Sequence, residues 1–286
     1  MKKALTPSAT ILALVVSAGM SMAGPLQGHS DYGFAHDVHS SIAPDRSNEN
    51  FGDRHVTTNS DDQQYDTDFY LGEVAGGDMF GRVEFGTTHS SSDVSTRLAS
   101  AGISADSYDA TIGALWVADS MLYIDGQFRY GAFDSRIGLN GQNILDIDGS
   151  GYQISVEVGK PFALWNDLTL TPQVEVTYSD IDLDNVPGGQ IGTLVDSDTL
   201  MARLGLRAER TFANNSMLYG QIDIYHAFDN EASMVFGQNT AALSIGGNLS
   251  LSDHSQLYAE ITSETGLGSS SNDHSVSWNI GFAVQF

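Results

Sequence analysis

The chain has no cysteine in its 286 residues. Disulfides cannot brace it, so its stability must come from elsewhere, and a closed hydrogen-bonded barrel is one such source. Basic residues are scarce: 12 Lys and Arg stand against 36 Asp and Glu, a formal net charge of −24. That balance excludes a nucleic-acid partner, because phosphate backbones would be repelled. Excess Asp keeps exposed loops solvated, and divalent cations at those acidic loops are the second reading of the same charge. Long apolar runs are missing too. No segment reaches the ~20 consecutive apolar residues that a membrane-crossing helix needs. A barrel is not excluded on that ground, because alternating strands average out to near-neutral hydropathy.

The N-terminus indicates the compartment. Lys2 and Lys3 precede a short apolar run, Ile11 to Ala18, and then the small-residue site Ser21-Met22-Ala23. This is the pattern of a secretory signal peptide over residues 1–23, with cleavage after Ala23.

What the chain does contain is a period of two. At its end Val276, Trp278, Ile280, Phe282, Val284 and Phe286 fall on one face, and Ser277, Asn279, Gly281, Ala283 and Gln285 on the other. Leu168, Leu170, Val174 and Val176 alternate with Thr169, Thr171, Gln173 and Glu175; Leu200, Leu204 and Leu206 alternate with Arg203, Arg207 and Glu209. Around residue 124, Leu122, Ile124, Phe128 and Tyr130 alternate with Tyr123, Asp125, Gln127 and Arg129. Such runs of about ten residues suit a tilted strand crossing hydrocarbon better than the ~5–6 residues of an ordinary globular strand.

Short connections (75–78, 118–120, 213–215, 252–253, with 161–166 on the same side) alternate with longer Gly/Ser/Asp-rich ones near 91–105, 135–149, 181–197, 230–239 and 265–274. Eleven strands are expected between residues 65 and 286. Single-chain bacterial barrels have an even number, so a twelfth is expected near 31–43. The predicted fold is all-β: an antiparallel up-and-down transmembrane β-barrel of 12 strands over residues 61–286. Ahead of it lies a short polar segment, 24–60, that plugs the lumen, is a remnant, or supplies the first strand.

Several stretches carry a family resemblance. They are Phe80 to Val94, Tyr123-Ile124-Asp125-Gly126, Gly159-Lys160-Pro161-Phe162, Leu170-Thr171-Pro172-Gln173 through Tyr178, Asp198 to Arg210, and Tyr225-His226-Ala227-Phe228. In that order they resemble the translocator (β) domain of autotransporters, the type V secretion barrels. The resemblance implies a cell outer-membrane location and a barrel that inserts and holds or passes an N-terminal segment through its pore. It implies outer-membrane lipids and the outer-membrane assembly machinery as partners, with the terminal aromatic Phe286 as the assembly signal. With only residues 24–60 ahead of the matched region, little or no passenger is expected.

The polar face gives the candidate lumen-lining residues Arg129, Arg203, Arg207, Glu175, Asp223 and Glu260, with Arg82, Glu84, Asp125, Glu157 and Glu209 beside them. They form either an ion- or peptide-guiding channel or a salt-bridge network bracing a polar interior. No metal site or cofactor is expected. His36 and His39 lack a rigid frame, and the Asp180-Asp182-Asp184 run lacks the glycine and glutamate of a calcium loop. No enzyme is expected either. His89 beside Ser90–Asp93 and His226 near Asp229 are the residues a barrel hydrolase would use, but no nucleophile motif accompanies them. An adhesion or binding barrel acting through acidic loops and a small diffusion porin are the other classes.

Overall fold

The structure, a computed structural model, describes residues 38–51, 54–95, 100–139, 142–164, 167–184, 197–228, 239–252, 255–267 and 274–285. Every element among them is a strand. In chain order these are β1 (Val38–Phe51), β2 (Arg54–Glu73), β3 (Gly77–Ser95), β4 (Ser100–Ala118), β5 (Tyr123–Leu139) and β6 (Gln142–Gly159). They continue with the two-residue β7 (Phe162–Ala163), then β8 (Leu168–Asp184), β9 (Ser197–Thr211), β10 (Met217–Ala227), β11 (Asn239–Ser252), β12 (Ser255–Gly266) and β13 (His274–Gln285).

Each long strand pairs antiparallel with its predecessor and successor. β6 passes over β7 to pair with β8, from Gly159 opposite Gln173 to Asp148 opposite Asp184. The last strand returns to the first, with His39 opposite Gln285 and Asn50 opposite His274. Setting β7 aside, twelve strands therefore form a ring in which each has two neighbours. Each of these twelve described strands thus has a neighbour on both sides, as a barrel wall in hydrocarbon requires.

One rim carries the tight turns. Between β2 and β3, Val74 and Gly77 exchange backbone hydrogen bonds of 2.8 and 3.2 Å. The two residues between them, Ala75 (φ 53°) and Gly76 (φ 74°), are both left-handed. Positive φ at both positions is what a twisted two-residue hairpin requires, and glycine supplies the second without strain. The β9–β10 turn is one residue longer: Phe212 N–H donates to Ser216 O at 2.8 Å and Asn215 N–H donates to Phe212 O at 2.9 Å, with Asn215 at φ 60°.

The burial pattern is inverted relative to a protein folded in water. Along β8, Thr171, Gln173, Glu175 and Thr177 are buried while Val174 and Val176 are exposed. Leu204 and Ile222 are 59% and 56% exposed, whereas Asp223 is 2% exposed. Trp278, Ile280 and Phe282 stand on the exposed face of β13. A shell of large aliphatic and aromatic side chains around a charged interior is stable only where the surroundings are hydrocarbon.

Three expectations need correction. The first described strand is Val38–Phe51, running beyond the expected 31–43, of which 31–37 lie outside the described residues, and β2 begins at Arg54. Residues 38–60 are thus largely wall, built from a sequence without clear alternation whose backbone is satisfied by pairing with β13 and β2. The connections expected at 91–105 and 135–149 are mostly strand, since β3–β4 pairing continues to Ser95 opposite Ser100 and β5–β6 pairing to Leu139 opposite Gln142. On the β5–β6 extension the lipid-type alternation is reversed, with Phe133 and Ile147 buried and Asp134 and Asp148 exposed, yet the ladder continues. Asp180, Asp182 and Asp184 lie on β8 rather than in a loop, with Asp180 opposite Asp198 of β9. The signal-peptide residues 1–23, His36, the remaining long connections and Phe286 lie outside the described residues.

Candidate functional site in the barrel interior

The candidate site is the buried polar face of the strands. At its centre Arg203 of β9 points inward because Leu204 and Ala202 beside it face out. Its Nε donates to Glu175 at 2.7 Å, Nη1 donates to Asp223 at 3.0 Å, and Nη2 donates to Glu157. The three carboxylates come from β8, β10 and β6. Arg203 is 6% exposed and Glu175 5%. A planar guanidinium with several donors in fixed directions suits three carboxylates in a way that a lysine ammonium does not. Tyr123 of β5 donates its hydroxyl proton to Glu157 and accepts a bond from Gln173 Nε2 at 2.9 Å, carrying the network a further strand.

Beside it, Arg207 donates to Glu209 at 3.1 Å and stacks on Tyr219, its guanidinium carbon 3.7 Å from the ring centroid. Tyr219 in turn donates to Glu260 of β12. The opposite wall repeats the theme. Arg82 pairs with Asp68 at 2.8 Å, and Arg129 pairs with Asp109 at 3.1 Å and Glu84 at 3.4 Å. Four arginines thus meet seven carboxylates. Asp66, Asp125 and Glu264 share the inward face by strand parity.

The structure therefore brings Arg203, Glu175 and Asp223 together in one cluster, with Arg207 and Glu260 joined through Tyr219. It holds Arg129 on the other wall in a separate cluster. Phe286 is outside the described residues, as is Asp229. His89 Nδ1 lies 2.6 Å from Asp106 Oδ1, on the outward face, with both side chains exposed. His226 Nδ1 lies 2.8 Å from Asn239 Oδ1 and its ring sits edge-on to Phe228.

Sequence reasoning missed the aromatic partners. Tyr123, Tyr219 and Tyr258 occur on the polar parity, which was the available signal. Register then sets each opposite a glycine, Gly159, Gly246 and Gly281. A Cβ at any of these glycines would collide with the tyrosine ring above it, so the rings lie flat on bare backbone. It also missed four buried polar atoms without a hydrogen-bond partner: Thr111 Oγ1, Ser135 Oγ, Gln153 Oε1 and Asn279 Oδ1. Thr111 and Gln153 flank Arg129 directly across the strands, and Asn279 is opposite Glu260.

Comparison with known proteins matches residues 49–262 to the model of the family described as Autotransporter beta-domain. A curated relative, an adhesin autotransporter of Brucella suis biovar 1 (strain 1330), is 26% identical over 243 residues. That match covers 77% of this chain and spans only 7% of the relative's length. Among solved structures, the transport unit of the autotransporter AIDA-I from Escherichia coli superposes with a TM-score of 0.76 at 14% identity, covering 99% of this chain and 100% of that one. The translocator domain of NalP from Neisseria meningitidis gives 0.73 at 16% identity, covering 97% and 98%.

Proposed function

Because the chain belongs to the autotransporter β-domain family, and is therefore a translocator barrel of the outer membrane, we propose that it holds or passes the segment ahead of β1 through its lumen. One observation carries this reading. The described wall begins at Val38 on the tight-turn half of the barrel, with Val38 opposite Thr67, six residues before the end of β2 at Glu73, and His39 opposite Gln285, the last residue of β13. A segment entering the lumen ahead of Val38 would start from the side of the short turns. In outer-membrane barrels that side faces the periplasm.

The test is an epitope tag placed just after Ala23. Detection of the tag on intact cells, or its protection from protease on both sides until the barrel is unfolded, is the expected result. Digestion from the periplasmic side alone would contradict both holding and passing.

In this reading Arg129, Arg203, Arg207, Glu175, Asp223 and Glu260 line the lumen, and the first role of their ion pairs is to brace the wall. Outer-membrane assembly machinery reads the last strand. Removing Phe286 then lowers the assembled, heat-modifiable fraction without changing the amount exported. The family is one of transport and adhesion, and no residue is assigned a catalytic role. The adhesive activity in the Brucella relative's name resides in a protein of which the match spans a small part, so it is not carried over. Divalent cations at the acidic outer connections remain a secondary proposal, checked by the effect of a chelator on the folded barrel's stability.

A further inference from the structure

Of the seven basic side chains described, five have carboxylate partners. Arg82, Arg129, Arg203 and Arg207 are paired on the inward face, and Arg136 of β5 lies 3.9 Å from Asp134. Lys160 and Arg210 make no ion pair among the described residues, although the chain has 36 acids to 12 bases. Both stand at one place on the tight-turn rim, on either side of β8. Lys160 follows the end of β6, and its N–H donates to Pro172 O of β8 at 3.3 Å. Arg210 of β9 is opposite Leu168 of β8. Strand parity turns both outward, Lys160 in line with Val156 and Val158, Arg210 in line with Leu204 and Leu206. Each cation lies against a phenylalanine: Lys160 Nζ is 5.7 Å from the Phe162 ring centroid, and the Arg210 guanidinium carbon is 5.3 Å from that of Phe212. Between them the outward face of β8 is Leu168 and Leu170, with Phe162 opposite Leu170. The neighbouring acids leave this charge standing. Glu209 turns inward to Arg207, and Asp167 is exposed in the turn and pairs with neither cation.

We propose that this stretch of rim is a binding site for an anionic phospholipid of the leaflet on the short-turn side. Long basic side chains lay their stems along apolar surface and carry the charge to headgroup level. Lys160 and Arg210 would hold the phosphate there, the guanidinium through directed N–H donors and the ammonium as a point charge. The acyl chains lie on Leu168, Leu170 and the two phenylalanine rings. The charge match is local, because a chain of net charge −24 repels anionic lipid as a whole. The inference rests on the outer-membrane wall and not on what the lumen holds, so the tag experiment and the one below can fail separately.

The absence of cysteine makes a local readout direct. Leu170→Cys is made in the full chain and, separately, Leu257→Cys, on the outward face of β12 near its short turn. Each carries a small fluorophore, is folded into phosphatidylcholine vesicles and is checked for heat-modifiable mobility. Part of the lipid is then replaced by phosphatidylglycerol or by phosphatidylcholine, in either case with brominated acyl chains that quench on contact. At Leu170 the expected result is a preference for phosphatidylglycerol of about fivefold or more, the worth of one basic residue near an anionic headgroup. At Leu257 no such preference is expected. The preference at Leu170 should shrink as the Debye length falls from ~30 Å at 0.01 M salt to ~3 Å at 1 M. Lys160→Gln and Arg210→Gln should each lower it, and together bring it toward one, whereas Arg136→Gln should leave it unchanged. Equal quenching by the two lipids at Leu170, the same preference at Leu257, or a preference that survives Lys160→Gln/Arg210→Gln would each overturn the proposal.

Discussion

Arg203 offers Nε, Nη1 and Nη2 to carboxylates on three different strands, so one side chain ties β6, β8 and β10 to β9. Removing a buried charge partner leaves the others unpaired, at a typical cost of about 3–5 kcal/mol. Arg203→Met should lower the urea midpoint of the lipid-embedded barrel accordingly. Arg203→Lys should recover only part of the loss, because a point charge cannot serve three directions. If both variants unfold with the wild type, the cluster does not brace the wall. A second residue-scale prediction concerns Gly281, which lies under the Tyr258 ring. Gly281→Val should destabilise by about 1–3 kcal/mol through overpacking. Adding Tyr258→Ala should restore much of that loss, since the obstruction is then gone. A double variant no better than Gly281→Val would show that the ring is not what the added side chain meets.

At the scale of the strand, length and register carry the information. β2 has 20 residues and β10 has 11. About 9–11 residues cross the hydrocarbon, so the β2–β6 side continues well beyond it at the rim away from the tight turns. Leu204 lies within the lipid-facing band, between Val174 and Ile224 in register. Asp134, also outward, lies on the extension between Asp106 and Asp148. Leu204→Arg should cost about 2–4 kcal/mol in lipid, whereas Asp134→Arg should stay within ~0.5 kcal/mol. Similar costs at both positions would place the extension inside the bilayer. The period of two located the strands from residue 65 onward because lipid on one side and polar interior on the other enforce it. It failed at β1, whose sequence VHSSIAPDRSNENF has no such alternation, and on the β5–β6 extension, where the polarity is reversed, with Phe133 and Ile147 buried and Asp134, Asp146 and Asp148 exposed. Parity put the charged residues of each strand on one face. Their partners were not legible, because which strand residue opposes which is a property of register that the sequence does not display. Tyr123 could be placed on the polar face, but not over Gly159.

For the molecule as a whole, every claim rests on one inversion: apolar side chains outward around a closed ring, charged side chains inward. A closed ring satisfies the backbone without water, and only hydrocarbon suits that exterior. The most direct measurement is a spin-label scan. Single cysteines are placed from 200 to 208 in the lipid-embedded chain, and label accessibility to oxygen and to a water-soluble nickel chelate is recorded. Labels at 200, 202, 204, 206 and 208 should be reached by oxygen dissolved in the lipid and screened from nickel. Those at 201, 203, 205 and 207 should show neither response at full strength. Accessibility without a period of two, or with oxygen favouring the odd positions, would contradict the account.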